Sequence, residues 1–210
     1  MKRRFFAHIA ALLAVATFGL SPVVHAADET PDALIKRLSD DVMAAFKADK
    51  SLQGGETSRI MTLVDSKIMP NVNFQRMTAA AVGPAWRQAT PEQQKRLQDE
   101  FKTLLVRTYS GALAQVKDEV ITLKPQRGAA TDNEVVVRTE VRGRGDPIQL
   151  DYRLEKTATG WKIYNLNVLG VWLVETYRSQ FAQEINAKGL NGLITALAQR
   201  NKANADAQKS

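Results

Sequence analysis

The amino-acid sequence predicts an α+β fold in which a curved antiparallel sheet is wrapped around and flanked by helices. Three observations carry this. Apolar residues recur at helical spacing through residues 30–117, alternate with period two through 120–169, and return to helical spacing over 171–200. Helices, then a sheet, then helices is the order of an α+β domain.

The first helix opens at Thr30-Pro31, an N-cap followed by proline at the first helical position. Leu34, Ile35, Leu38, Val42, Ala45 and Phe46 form its stripe, and residues 51–55, ending in Gly54-Gly55, break it. Ile60, Leu63, Val64 and Ile68 make a second short stripe that stops at Pro70. Residues 73–81 form a third helix, ended by Gly83-Pro84. The fourth helix is the clearest. Thr90-Pro91-Glu92-Gln93 combines an N-cap, a first-turn proline, an early acid and a capping-box glutamine. Behind it Leu97, Phe101, Leu104, Leu105, Thr108, Tyr109, Ala112, Leu113 and Val116 hold one face for about 25 residues, roughly 37 Å of helix. So long a stripe needs a large surface to lie against, and the sheet is predicted to supply it.

Residues 120–123 form a short first strand. In the second, Val135, Val137, Thr139 and Val141 alternate with Glu134, Arg138, Glu140 and Arg142. After the turn at 143–147, Ile148, Leu150, Tyr152 and Leu154 alternate with Gln149, Asp151, Arg153 and Glu155. This is a hairpin with one dry face and one wet face. Residues 161–169 break the rule. Trp161 and Ile163 fall on one face and Tyr164, Leu166 and Val168 on the other, so this strand is either covered on both sides or bulged. Leu173, Val174, Tyr177, Phe181 and Ile185, then Leu190, Leu193, Ile194 and Leu197 after Gly189, supply the closing helices over 171–200. A polar, frayed tail is expected over 201–210.

The N-terminus reads as an export signal. Lys2, Arg3 and Arg4 form a basic n-region, residues 5–20 an apolar h-region, and residues 21–26 a cleavage site after Ala26. The apolar run is short and contains His8, which favours a cleaved signal over a retained membrane anchor. Removing it leaves a single domain over 27–200 plus the tail, and loss of three basic residues takes the net charge from +7 to +4. That charge is too small and dispersed to argue for nucleic acid. Both histidines, His8 and His25, leave with the signal, and the chain has no cysteine. Histidine- and cysteine-based catalysis and Cys/His zinc sites go with them. Disulfides and a lipoprotein anchor are excluded as well, and a Gram-negative periplasm is the natural compartment. No metal or cofactor is expected, and no later segment approaches the length of a spanning helix.

The remaining motifs have plain explanations. Arg144-Gly145-Asp146 spells a cell-adhesion tripeptide but sits in a glycine-rich turn ending at Pro147. No glycine-rich loop is followed by Lys and Ser/Thr, so there is no P-loop. Asp40-Asp41 lacks the alternating oxygen ligands of a calcium loop. Glu134, Glu140, Asp151 and Glu155 fall on the wet face, where Arg138, Arg142 and Arg153 can pair with them. The long helix, the dry sheet face and the stripe at 173–185 converge on one volume rich in tyrosine, a residue suited to a pocket mouth with its ring dry and its hydroxyl wet.

Several segments closely resemble the MlaC family. They are Val72-Asn73-Phe74-Gln75-Arg76-Met77, the run from Val82-Gly83-Pro84-Ala85-Trp86 to Thr90-Pro91-Glu92-Gln93, and Phe101-Lys102-Thr103-Leu104-Leu105-Val106-Arg107-Thr108-Tyr109. Asp151-Tyr152-Arg153-Leu154, Gly160-Trp161-Lys162-Ile163-Tyr164, Gly170-Val171-Trp172-Leu173-Val174 and Tyr177-Arg178-Ser179-Gln180-Phe181 belong with them. The resemblance runs in order through the chain beyond the signal. It implies an NTF2-like curved sheet with added helices, and a periplasmic phospholipid carrier of the lipid-asymmetry (toluene-tolerance) pathway. It implies phospholipid as cargo and two partners: an inner-membrane ABC transporter complex with an MCE-domain protein, and an outer-membrane lipoprotein–porin complex. Trp172 stands where many relatives have a small residue, which bears on pocket size.

A carrier of this kind surrounds acyl chains with apolar side chains and needs no covalent chemistry. The expected lining is Trp86, Phe101, Leu104, Leu105 and Tyr109 from the helical part. The sheet adds Val135, Val137, Leu150, Tyr152 and Val168, and the closing helix adds Leu173 and Tyr177. A carboxylate placed at Val137 or Leu150 would have to be desolvated beside hydrocarbon, and is expected to abolish lipid retention. Two other readings remain: an isomerase- or dehydratase-type enzyme on the same scaffold, which needs an Asp or Glu on the dry face, and a solid-cored periplasmic adaptor without ligand.

Overall fold

The sheet is a five-stranded antiparallel meander in the order β1–β2–β3–β4–β5. Its strands are β1 (Val120–Leu123), β2 (Glu134–Arg142), β3 (Ile148–Thr157), β4 (Gly160–Val168) and β5 (Val171–Trp172). The computed structural model describes residues 29–114, 119–125, 133–143 and 145–207. The leader predicted over 1–26, Val116, Arg144 and the side chains of Ala112 and Leu113 lie outside what it describes. Tyr152 stands between Val137 and Leu166, and Leu150 between Thr139 and Val168, so the alternating apolar residues of three strands share one inner face. The irregularity read in residues 161–169 is a bulge. Arg153 faces Asn165 but Leu154 faces Ile163, leaving Tyr164 as the extra residue on β4. Val171 and Trp172, expected to start the closing helix, instead pair back onto Val168 and Asn167 as β5.

Local chemistry sets the helix starts. Helix α1 (Pro31–Ala48) begins where Thr30 Oγ1 accepts from Ala33 N at 3.2 Å. Helix α2 (Lys50–Gln53) is one turn, and α3 (Thr57–Leu63) runs through a π-helical turn, residues 64–68, into a 3₁₀ turn at Pro70. Asn73 Oδ1 caps α4 (Phe74–Val82) by accepting from Arg76 N at 3.0 Å, and Gly83 ends it at φ +74°. The capping box of α5 (Pro91–Ala114) is reciprocal. Gln93 N–H donates to Thr90 Oγ1 at 3.2 Å, and Thr90 N–H donates to Gln93 Oε1 at 2.9 Å. Helix α6 (Leu173–Ala207) bends at Gly189, whose φ of 68° and ψ of −175° no helix accommodates, so two arms succeed one another.

Two expectations need correction. The stripe that lies on the inner face of the sheet belongs to α1, through Leu34, Ile35 and Leu38 against Val135, Val137, Leu154 and Ile163. The long α5 packs chiefly against α6, with smaller contacts to α3 and α4, because the two arms of α6 present a longer apolar surface than the short strands do. Second, Asn201 is not the start of a frayed tail. Helix α6 continues to Ala207, and Asn201 is 4 % exposed, its Nδ2 donating to the Glu100 backbone oxygen at 2.9 Å and to Glu100 Oε2 at 2.8 Å. The amide ties the second arm of α6 to α5, a use that residue type alone does not reveal.

Candidate functional site

Among the described residues the buried apolar side chains form three clusters, two of them joined through the partly buried Val72. The largest joins α4, α5 and α6, with Phe101 at its centre. Phe101 meets Tyr177 and Phe181 edge-on, with ring centroids 4.9 and 5.2 Å away, and Phe74 at 5.7 Å. The second cluster is α1 on the sheet, and the third joins Phe46 of α1 through Leu52, Ile60 and Leu63 to Val106 of α5. Element contacts run from the sheet to α1, from α1 through α2 and α3 to α5, from α5 to α6 and α4, and from those back to β4. The clusters therefore make a ring, and the inner face of the sheet is covered at one end by α1 and approached at the other by the helical unit.

Where those two covers meet lies a strip of the inner face. Tyr152 packs against the α1 cluster there, and Leu166 and Val168 against the helical cluster, yet all three, with Leu150, are only half-buried although they occupy central strands. Tyr152 is the most informative of them. Desolvation pushes its phenol pKa up, partly offset by a hydrogen bond with the Thr139 side chain. Its hydroxyl is thus withdrawn from bulk water, although the residue as a whole keeps accessible surface. Across from the strip, Trp86, Leu105 and Tyr109 are half-buried against the helical cluster. Burial also raises the phenol pKa values of Tyr109 and Tyr177, the latter countered by a hydrogen bond with Thr108.

The twelve residues expected to line a pocket therefore separate into two groups. Trp86, Leu105, Tyr109, Leu150, Tyr152 and Val168 keep surface to offer. Phe101, Leu104, Leu173 and Tyr177 are buried in the helical cluster, and Val135 and Val137 beneath α1. Leu166, which sequence reasoning left out, belongs with the first group. It shares a face with Val168, which the sequence reading did include, and the parity change at the bulge brings both to the inner face.

The outer face is not the solvated surface that its alternation suggests. Asp151, Asn165 and Asn167 are buried there, because β5 and the first turn of α6 fold over them. Asn165 accepts from Leu166 N at 2.9 Å and Val174 N at 3.2 Å, and donates to Glu175 Oε2 at 2.8 Å. Arg153 reaches Glu175 at 2.6 Å with its guanidinium 3.9 Å from the centre of the Trp172 ring. Trp172 is therefore on the outer face and takes no space from the strip. Arg76 of α4 lies 3.6 Å over Tyr164 and bridges Glu134 at 2.7 Å as well as Glu155. The Arg76 hydrogen bond holds the Glu134 carboxyl below the usual carboxylate range. Burial raises Glu175, but hydrogen bonds from Asn165 and Arg153 outweigh it and hold that carboxyl low as well. Asp151, the most buried carboxylate of the sheet, faces Arg138 at 3.8 Å, away from the strip. The inner face of the described strands carries no Asp or Glu, and no cluster suited to a metal ion exists among the described residues. No helix among the described residues is long and apolar enough to cross a membrane.

Known proteins resemble this chain in sequence and fold. A phospholipid-binding protein from Ralstonia solanacearum, solved in complex with a phospholipid, superposes with a TM-score of 0.81 at 48 % identity, covering 85 % of this chain and 99 % of that one. The toluene tolerance protein ttg2D of Pseudomonas putida is 26 % identical over 170 residues, covering 80 % of this chain and 79 % of its own. The intermembrane phospholipid transport system binding protein MlaC of Haemophilus influenzae is 22 % identical over 177 residues, covering 82 % and 83 %. The family description "MlaC protein" matches residues 36–199. With sequence, fold and the order of its motifs in agreement over that span, the chain belongs to the MlaC family.

Proposed function

We propose that this chain is a periplasmic phospholipid carrier, exported with cleavage after Ala26, whose domain over 27–200 holds acyl chains against the inner face of its sheet. The observation that carries the proposal is the strip of Leu150, Tyr152, Leu166 and Val168, only half-buried inside a ring of three apolar clusters. The phospholipid bound to the Ralstonia protein supports it. At about 0.8 kcal/mol per CH₂, some 30 methylenes of a diacyl lipid represent roughly 25 kcal/mol of gross burial. Escape through water is correspondingly slow, so transfer requires direct contact with partners that offer their own apolar path. The partners are an inner-membrane ABC transporter complex with its MCE-domain protein and an outer-membrane lipoprotein–porin complex. Direction comes from ATP hydrolysis in another chain, since this one carries no P-loop.

Organic extraction of the purified protein followed by mass spectrometry tests the proposal. A near-stoichiometric diacyl phospholipid is expected, and an extract free of lipid from protein made in a Gram-negative periplasm would refute it.

A further inference from the structure

Four large hydrophobic side chains are exposed among the described residues: Val120, Ile148, Leu169 and Val171. All four stand at the same end of the sheet, where β1 and β3 begin and β4 ends. Val120 pairs with Arg142 and belongs to the outer face. Ile148 pairs with Val141 and Val171 with Val168, so both extend the inner face. Leu169 sits in the turn between them, its N–H donating to Gln149 O at 3.0 Å.

Leu169 is doubly out of place. It is 64 % exposed, and it is the one non-glycine residue with positive φ, 53°, among those described. A left-handed leucine costs about 1–2 kcal/mol relative to glycine or asparagine, which adopt that conformation readily. The strained backbone is held by the Gln149 contact and by Gly170 N–H donating to Asn167 Oδ1 at 2.8 Å. Strain kept at a solvent-facing apolar residue points to use rather than to packing. In register, Ile148 and Val171 lead inward to Leu150 and Val168 and then to Tyr152 and Leu166, and Leu169 adjoins them in the turn.

Charge says what fits this lip. An anionic bilayer surface would be met by unpaired basic groups. Here Arg142 is paired with Glu140 and Asp146 lies exposed in the neighbouring turn. Across residues 140–147 the two arginines, Arg142 and Arg144, are matched by two carboxylates, Glu140 and Asp146, so the sequence at the lip is close to neutral. It is also small, three aliphatic side chains, far short of the roughly 1,200 Å² that a stable dimer buries. Near-neutral charge, small area and continuity with the lipid-facing strip together match a transient protein partner with an aliphatic-lined aperture.

We propose that Ile148, Leu169 and Val171 form the transfer lip, seated during delivery against the apolar aperture of a lipid-conducting membrane protein. This rests on the carrier function proposed above and locates where cargo leaves.

The test uses full-length protein loaded with radiolabelled phosphatidylglycerol and two acceptors. One is protein-free vesicles of phosphatidylethanolamine and phosphatidylglycerol; the other is the same vesicles reconstituted with envelope membrane proteins of the producing cell. Leu169→Asn keeps the left-handed turn, so its melting temperature is expected to equal or exceed that of the wild type. It is expected to keep its lipid load and to slow transfer into the protein-containing vesicles about tenfold, leaving the slow rate into protein-free vesicles unchanged. Val171→Ser should act in the same direction, and Val120→Ser, on the other face, should have no effect. Unchanged transfer overturns the proposal. So does equal slowing into both acceptors, which would make the bilayer the occupant. Loss of a wild-type dimer in the variant would make a second copy the occupant, and loss of the lipid load would make Leu169 part of the wall. Wild-type protein that purifies without lipid would instead refute the carrier function itself.

Discussion

The helical cluster and the inner face of the sheet are both built from large apolar side chains, yet they are packed to different standards. Around Phe101, aromatic rings meet edge-on at centroid distances near 5 Å, and Leu97 and Leu104 keep no accessible surface. On the sheet, Val137 is sealed beneath α1, but Tyr152, directly across from it in β3, is not. One strand position separates a residue that holds the fold from a residue that has surface to give to a guest. Stability is concentrated in the ring of clusters and function in the space they leave, so substitutions in the two regions should fail in different ways.

The largest effect is expected from Val137→Asp. Its carboxylate would be buried under α1 with no cationic partner, and no soluble folded protein should be recovered on expression. Phe101→Ala comes next, with a loss of about 3–5 kcal/mol in urea unfolding of the lipid-free protein. Leu150→Asp is the informative contrast. Its side chain is only half-buried, so circular dichroism should stay native while extracted lipid falls to background. A normal lipid load in that variant would break the distinction drawn here. Tyr152→Phe removes the hydroxyl bonded to Thr139 and should cost about 1 kcal/mol of stability, with lipid still bound. The smallest effect lies on the outer face. Glu175 has its folded pKa held below the unfolded value, so its contribution is complete above about pH 4.3 and is lost as pH falls through the folded value. Glu175→Gln should therefore flatten the acid side of a melting-temperature profile, with a loss of at most about 1 kcal/mol at neutral pH.

Where chemistry is local, the sequence was a sufficient guide. Thr30 and the Thr90/Gln93 box each act within four residues, and α1 and α5 start where those caps are written. The alternation of Val135 to Val141 and of Ile148 to Leu154 likewise delivers one shared inner face. What spacing could not reveal are pairings across long separations. Arg76 meets Glu155 across 79 residues and Asn201 meets Glu100 across 101, and no periodicity encodes either. The same limit explains why α5 looked like the helix beneath the sheet. An apolar stripe states that a surface is buried, not against what. It also explains why Phe101 and Tyr109, two turns apart on one stripe, end in different environments, the first sealed and the second half-open.

The bulge at Tyr164 has one more consequence. Odd-numbered Trp161 and Ile163 share the inner face with even-numbered Leu166 and Val168 because a single extra residue resets the count between them. Half of that strand is thus written in one reading frame and half in the other. Inserting or deleting one residue on either flank would turn part of the wall inside out, exchanging aliphatic groups for Asn165 and Asn167. Length variation during the divergence of such chains should accordingly gather in the hairpin turns, where a change of frame rotates nothing.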